Sequence, residues 1–289
     1  MNNNISRRRL LKGLSLVPFA AWGTTASGAE PTPASPLKGN IRQAVCYGPY
    51  RSIPLDVFAG ECRKIGLLGI DLVNPDEWET VMKNDLVVTL SRAPGTSQAE
   101  SFNRVGAHDK LMELYGELIP AAGKAGVKQI ICFSGNRGGL SDEEGIANCI
   151  TGLKRLMPLA EQHGVTLLME LFNDYDHKDY HAIHTAWGAE VAYGVGSENF
   201  KLLYDIYHMQ RSEGNLIETI GKFKDVIGHY HTAGVPGRRD LDEEQEINYS
   251  AVMRAILRTG FKGYVAHEFS PKSQDKLTSL HDAVRVCDV

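Results

Sequence analysis

The chain has 289 residues, of which 43% are hydrophobic, so it is long enough to bury one large core. Acidic and basic residues are interspersed and give a formal net charge of -4, which disfavours nucleic acid or an anionic membrane surface as a partner. The five cysteines are scattered, with no C-x-x-C motif and no regular spacing. We therefore expect them to be buried, small hydrophobic side chains rather than a disulfide framework.

The N-terminal segment has the pattern of an export signal. The run SRRRLLK at positions 6–12 precedes a moderately apolar stretch and small residues that end at Ala29. Paired arginines before Leu-Leu-Lys resemble a twin-arginine signal, while an ordinary secretory signal or an uncleaved anchor is the alternative. We expect residues 1–29 to be this signal, 30–40 a Pro-rich linker and 41–289 the folded domain. The mature protein would then be periplasmic or otherwise extracytoplasmic, with no membrane partner.

Eight short, β-rich runs follow along the chain, with helix-length segments between them. The runs lie near residues 41–46, 67–73, 86–91, 128–133, 165–170, 200–205, 226–231 and 263–268. The clearest helical patterns cover 52–65, 99–125, 141–163 and 249–259, and a glycine follows each of them as a candidate C-cap. This alternation predicts a single-domain (β/α)8 TIM barrel. An open doubly wound sheet is the competitor, but no G-x-G-x-x-G follows the first strand.

A potential metal ligand closes each of the last four runs. These residues are Glu170, Asp205, His231 and Glu268. The carboxyl ends of parallel strands converge in a barrel, so we expect the four side chains to share one site. Three carboxylates and one imidazole suit a divalent cation such as Mg, Mn or Co, with Zn as a further candidate. Acids that cap helices at strand ends are the structural alternative, but four adjacent strands share the pattern.

Longer segments around these residues resemble a known family. LLMELFND, YDIYHMQ, HYHTAGVPGRRDLDEEQEINY and GYVAHEFSP are similar to the xylose isomerase-like TIM-barrel superfamily, and most closely to its hydroxypyruvate isomerase family. The similarity covers essentially the whole mature chain. It implies that Glu170, Asp205, His231 and Glu268 hold the metal, and that Glu170 and Glu268 also act as catalytic acid and base.

The same resemblance implies two substrate-binding residues. His208 would bind a substrate oxygen, and Arg238 would bind a substrate carboxylate through a bidentate fork, with Arg239 as the alternative in register. The alternative for His208 is that it only orients a metal ligand, and the alternative for Arg238 is that it is an ordinary solvated loop arginine. No organic cofactor is implied.

The implied activity is a metal-dependent aldose-ketose type isomerisation through a cis-enediol. The family reaction converts hydroxypyruvate to 2-hydroxy-3-oxopropanoate (tartronate semialdehyde). Many hydroxypyruvate isomerases carry glutamine at the position of His231, whereas ketose 3-epimerases carry histidine, so a ketose 3-epimerase or another sugar isomerase is the alternative. A trinuclear zinc nuclease needs more strand-end histidines, and a binding barrel without turnover would not need both glutamates. These features are compatible with a homo-oligomer.

Weaker candidates for lining the pocket lie at the ends of other strands: Tyr47, Asn74 and residues 134–137. The preference of such residues for turns explains their positions equally well. His177, His181 and His184 have the spacing i, i+4 and i+7, which predicts one face of a solvated helix rather than a second metal site.

Overall fold

The structure is a computed structural model that describes Met1 and residues 36–289. Residues 37–289 form one compact unit, in which eight parallel strands close into a barrel in sequence order. This confirms the predicted (β/α)8 architecture. The predicted export signal, apart from Met1, and most of the Pro-rich linker lie outside the described residues. No helix in the described part of the chain is long and apolar enough to cross a membrane.

All eight predicted strands are present, with bounds that differ from the prediction by a few residues. They are β1 (Gln43–Cys46), β2 (Gly69–Val73), β3 (Val87–Ser91), β4 (Gln129–Cys132), β5 (Thr166–Glu170), β6 (Phe200–Asp205), β7 (Ile227–Thr232) and β8 (Val265–His267). Their side chains are almost all buried, which is why the runs are continuously apolar rather than alternating. The five cysteines are free and buried, as expected from their scattered positions.

Nine helices cover the outside of the barrel in the described residues. They are α1 (Leu55–Ile65), α2 (Trp78–Lys83), α3 (His108–Ala125), α4 (Asp142–His163), α5 (Thr185–Val195), α6 (Ile206–Ser212), α7 (Leu216–Lys222), α8 (Tyr249–Arg258) and α9 (Lys276–Cys287). Short 3-10 turns lie at Gly48–Tyr50, Pro75–Glu77 and Val105–Ala107.

Helix α4 shows how the sequence sets these ends. Ser141 Oγ accepts a hydrogen bond from the backbone N–H of Glu144, and the Glu144 carboxylate accepts one from the N–H of Ser141. This reciprocal capping box satisfies two backbone donors that the first turn of a helix leaves free. Gly164 ends the helix at φ 59°, a left-handed conformation that favours glycine.

One helix prediction was too long and another was wrong. The pattern over 99–125 forms a helix only from His108, because Ser97 Oγ accepts the backbone N–H groups of Ala99 and Glu100 and holds the preceding segment as a turn. The predicted helix through His177, His181 and His184 does not form. Asn173 Oδ1 accepts the N–H groups of Tyr175 and Asp176, so the chain turns there, and α5 begins only at Thr185.

Candidate active site

The carboxyl ends of β5 to β8 bring the four predicted ligands together. Glu170 and Asp205 are the last residues of β5 and β6, His231 lies in β7, and Glu268 directly follows β8. One ligand atom of each residue lies within 4.8 Å of those of the other three. The convergence follows from the register, since Asp205 lies opposite His231 across the β6–β7 pair. The predicted set is therefore one cluster in space.

His231 Nδ1 gives a direct test of whether this cluster fits a cation. The atom is buried and lies within ion-pair distance of Glu268 Oε2, at 2.7 Å, and of Glu170 Oε1, at 3.7 Å, but neither contact has the direction of a hydrogen bond, and no other described group makes one to it. A buried polar atom left without a partner costs about 1–3 kcal/mol. A divalent cation shared by the three carboxylates and Nδ1 would satisfy the nitrogen and offset the acidic charge, so the residues fit such an ion.

Asp71, on β2, completes the cluster from the opposite side of His231. Its fully buried carboxylate oxygen Oδ2 accepts hydrogen bonds from His231 Nε2 at 3.0 Å and from His229 Nε2 at 2.6 Å. Thr89 Oγ1 donates to Oδ1.

Burial by itself would lower the pKa of His231, but the neighbouring Cys46, Glu268 and Asp71 raise it well above its usual value. A cation at the cluster would displace the proton from Nδ1, while Asp71 would keep the proton on Nε2, so the lone pair on Nδ1 would face the cation. Asp71 would thus orient the imidazole of His231 as a metal ligand.

The sequence analysis missed Asp71. Burial by itself would raise the pKa of Asp71, but the adjacent His229 and His231 lower it well below its usual range. The carboxylate is therefore charged inside the barrel, where an unpaired charge would be strongly unfavourable. The available signal was an acid in the middle of the apolar run LLGIDLV, where a buried carboxylate needs a partner.

Arg238 is held against the same cluster. Its Nη2 donates to Asp205 Oδ2 at 2.9 Å and to Glu268 Oε2 at 2.7 Å. Burial by itself would raise the pKa of Glu268, but Arg238 and His231 lower it below its usual value. Burial raises the pKa of Glu170 to about 7. The pKa values of the two glutamates are therefore shifted in opposite directions.

His208 lies at the start of α6, where its backbone N–H donates to Asp205 Oδ1. Burial and the neighbouring Arg238 hold the pKa of His208 well below its usual value, so the ring is neutral. Asn173 Nδ2 approaches ring Nδ1 at 2.6 Å and Arg238 Nη1 approaches Nε2. A neutral imidazole accepts at only one nitrogen, so these two donors compete for the ring.

A cavity of about 860 Å³ opens above these residues, within the usual size range of small-molecule sites. Its polar wall includes Asn74, Gln98, His177, His208, Glu170 and Glu268, its aromatic wall Phe133, Phe172 and Tyr207, and its cationic wall Arg92, Arg211 and Arg238.

Some of the weaker sequence candidates line the cavity and others do not. Asn74 lines the cavity, whereas the Tyr47 hydroxyl donates to the carbonyl of Ile53. Residues 134–137 hold the surrounding loops, since Ser134 Oγ accepts the N–H of Ala182. His177 was predicted on a solvated helix but stacks on Phe172 at 4.0 Å in the cavity wall. Arg239 does not line the cavity.

A (β/α)8 barrel that brings three carboxylates and one imidazole together at the ends of β5 to β8 defines the class of the protein as a barrel enzyme with a candidate metal site. A family model described as xylose isomerase-like TIM barrel matches residues 81–286, more than half of the chain. The chain therefore belongs to the xylose isomerase-like TIM-barrel family. It is an isomerase, and its function is of the sugar-isomerase type.

Similar proteins agree with the sequence-based resemblance. A hydroxypyruvate isomerase of Escherichia coli K12 is 27% identical over 248 residues, which cover 82% of this chain and 95% of the relative. A 2-oxo-tetronate isomerase of Cupriavidus necator is 32% identical over 114 residues, covering 39% of this chain and 44% of the relative.

Solved structures match the fold. The AP endonuclease, family 2 from Brucella melitensis has a TM-score of 0.75 at 19% identity, covering 83% of this chain and 97% of its own. The D-psicose 3-epimerase from Clostridium cellulolyticum H10 has a TM-score of 0.71 at 14% identity, covering 86% of this chain and all of its own.

Proposed function

We propose that the protein is a divalent-metal-dependent isomerase that converts a small hydroxy-oxo acid through a cis-enediol. The proposed reaction is hydroxypyruvate to 2-hydroxy-3-oxopropanoate. The observation that carries the proposal is the pairing of Glu170 and Glu268, which both line one cavity, around the buried Nδ1 of His231, which makes no hydrogen bond in the described residues. The similarity to a hydroxypyruvate isomerase over nearly its whole length supports this substrate.

The glutamate pair supplies the proton transfers of this reaction. One carboxylate removes a proton from C3 of hydroxypyruvate, the electron pair forms the C2–C3 double bond of the enediol, and a proton returns to C2. A second proton passes from the C3 hydroxyl to the C2 oxygen, which leaves an aldehyde at C3. Glu170 and Glu268 have ligand oxygens within 4.8 Å of each other, so both reach the same two-carbon unit.

The remaining residues position the substrate and its charge. A cation bound by Glu170, Asp205, His231 and Glu268 would act as a Lewis acid on the carbonyl oxygen and stabilise the negative charge of the enediolate. His208, neutral and buried in the cavity wall, would bind a substrate oxygen through Nε2, in place of its contact with Arg238 Nη1.

Turnover in deuterated water tests this proposal. Purified protein loaded in turn with Mg, Mn, Co or Zn is incubated with hydroxypyruvate and, separately, with ketoses of four to six carbons. We expect isomerisation of hydroxypyruvate, with deuterium at C2 of the product, because the enediol route exposes the abstracted proton to exchange. Complete retention of the original hydrogen would instead indicate hydride transfer, and inertness to hydroxypyruvate would refute the proposed substrate.

Metal analysis gives a second prediction. The described residues place all four proposed ligands in one cluster, so we expect about one divalent ion per chain after reconstitution. Asp205→Ala should lower this content, because it removes a ligand. Three ions per chain, or none at any loading, would contradict the proposed site.

A ketose 3-epimerase is the second candidate, favoured by the size of the cavity. About 860 Å³ is far more room than a three-carbon acid needs. The same metal ligands and glutamate pair would serve, since epimerisation at C3 also removes and returns a proton beside a carbonyl. Conversion of a six-carbon ketose to its C3 epimer, with no change in hydroxypyruvate, would select this alternative.

A further inference from the structure

Three arginines line the active-site cavity, and two of them are already neutralised. Arg211 Nη1 contacts both carboxylate oxygens of Asp176 at 2.5 and 2.6 Å. Arg238 contacts Asp205 and Glu268 at 2.9 and 2.7 Å. Arg92 differs from both, because no acidic side chain in the part of the chain that the structure describes forms a salt bridge with it. Its charge is therefore available to a ligand in the cavity.

An irregularity in the sheet fixes the position of Arg92, which directly follows β3. The register between β2 and β3 shifts on either side of Asp71, and Leu72 adopts a left-handed φ of 56°. The Leu72 carbonyl accepts a hydrogen bond from Arg92 Nε at 3.0 Å, while the Val73 carbonyl accepts the backbone N–H of Arg92. Bulges often redirect side chains beside active sites in this way.

This anchoring leaves the far end of the guanidinium group unused. The bond from Nε orients the guanidinium plane, and neither Nη group has a hydrogen-bond partner among the described residues. Two parallel N–H groups in that arrangement match the two oxygens of a carboxylate. A neutral sugar offers no charge to such a fork.

We propose that Arg92 binds the carboxylate of an oxo-acid substrate and so sets the preference of the site for acids over neutral ketoses. This inference rests on the proposed isomerase function. It gives the carboxylate to Arg92 instead of Arg238, the residue implied by the family resemblance, because Arg238 already contacts two carboxylates of the proposed metal site.

The experiment compares two substrates that differ only in this group. Hydroxypyruvate and dihydroxyacetone share the hydroxyketone unit, but dihydroxyacetone carries a hydroxymethyl group in place of the carboxylate. Arg92→Ala should raise KM for hydroxypyruvate about 10- to 100-fold, the range for a lost charged hydrogen bond, and leave its kcat and both constants for dihydroxyacetone nearly unchanged. Arg92→Lys should restore part of the loss, since it keeps the charge without the fork.

Arg155→Ala is the matched control, because Arg155 pairs with Asp109 on the exposed surface of α4 and does not line the cavity. It should leave both substrates unaffected. Equal losses on both substrates in Arg92→Ala would show a structural role, and an unchanged KM for hydroxypyruvate would also overturn the inference. A carboxylate-selective loss confined to Arg238→Ala would return the carboxylate to Arg238.

Calorimetric binding of D-glycerate separates this inference from the proposed function. If the wild type isomerises neither substrate, the proposed function fails. The role of Arg92 can still be tested, because glycerate carries the carboxylate but has no carbonyl group to isomerise. Binding that is about 10- to 100-fold weaker in Arg92→Ala than in the wild type supports the role of Arg92. Equal binding by the two proteins, or no binding by either, would refute it.

Discussion

Glu170→Gln and Glu268→Gln should each lower kcat by about 10²- to 10⁴-fold, the usual contribution of a positioned general acid or base. Glutamine keeps the volume of the side chain and one oxygen donor, but it neither accepts nor delivers a proton at neutral pH. Both residues lie in the four-ligand cluster at the base of the cavity, so each has access to the reacting carbons. Steady-state kinetics with hydroxypyruvate at saturating metal measures the effect.

Metal binding must be measured in the same variants, because both glutamates are also proposed ligands. Affinity should fall less than in Asp205→Ala, where no ligand atom remains, so saturating metal should restore occupancy without restoring turnover. Glu190→Gln, on the exposed face of α5, is a matched surface control. Full activity in either active-site variant at saturating metal would remove that glutamate from the proton transfers.

The sequence predicted the fold and the four-residue cluster because both depend on regular patterns. Buried parallel strands are continuously apolar, and an acid or histidine at the end of such a run is conspicuous. The closed order β1 to β8 then places Glu170, Asp205 and His231 at one end of the barrel without further information. Even Glu268, one residue beyond β8, follows from the same rule.

Contacts between distant residues were not predictable in this way. His229 and His231 meet Asp71 across nearly 160 positions, and neither strand pattern indicates which acid lies beside which histidine. The irregular pairing that presents the Leu72 carbonyl to Arg92 depends on how β2 and β3 align, which a continuous apolar run does not indicate. His177 was misplaced because local hydrogen bonds overrode an apparent helical spacing.

Asp71→Asn should weaken divalent metal binding by about 10- to 100-fold, the usual effect of removing a group that orients a metal-binding histidine. The asparagine keeps the shape of the side chain but removes the charge that holds the Nε2 protons of His231 and His229. Breaking a buried charge pair also destabilises a fold by about 3–5 kcal/mol, so denaturant unfolding should be measured beside metal competition with a chelator.

Metal competition and denaturant unfolding together distinguish two roles of Asp71, orienting His231 and stabilising the fold. If Asp71 positions His231, excess metal should restore most of kcat in Asp71→Asn, because the glutamate pair itself is unchanged. Asp225→Asn, an exposed aspartate outside the cavity, should change neither quantity. A variant that loses stability while binding metal as tightly as the wild type would show that Asp71 only supports the fold. The orientation of His231 Nδ1 would then not depend on the buried carboxylate of Asp71.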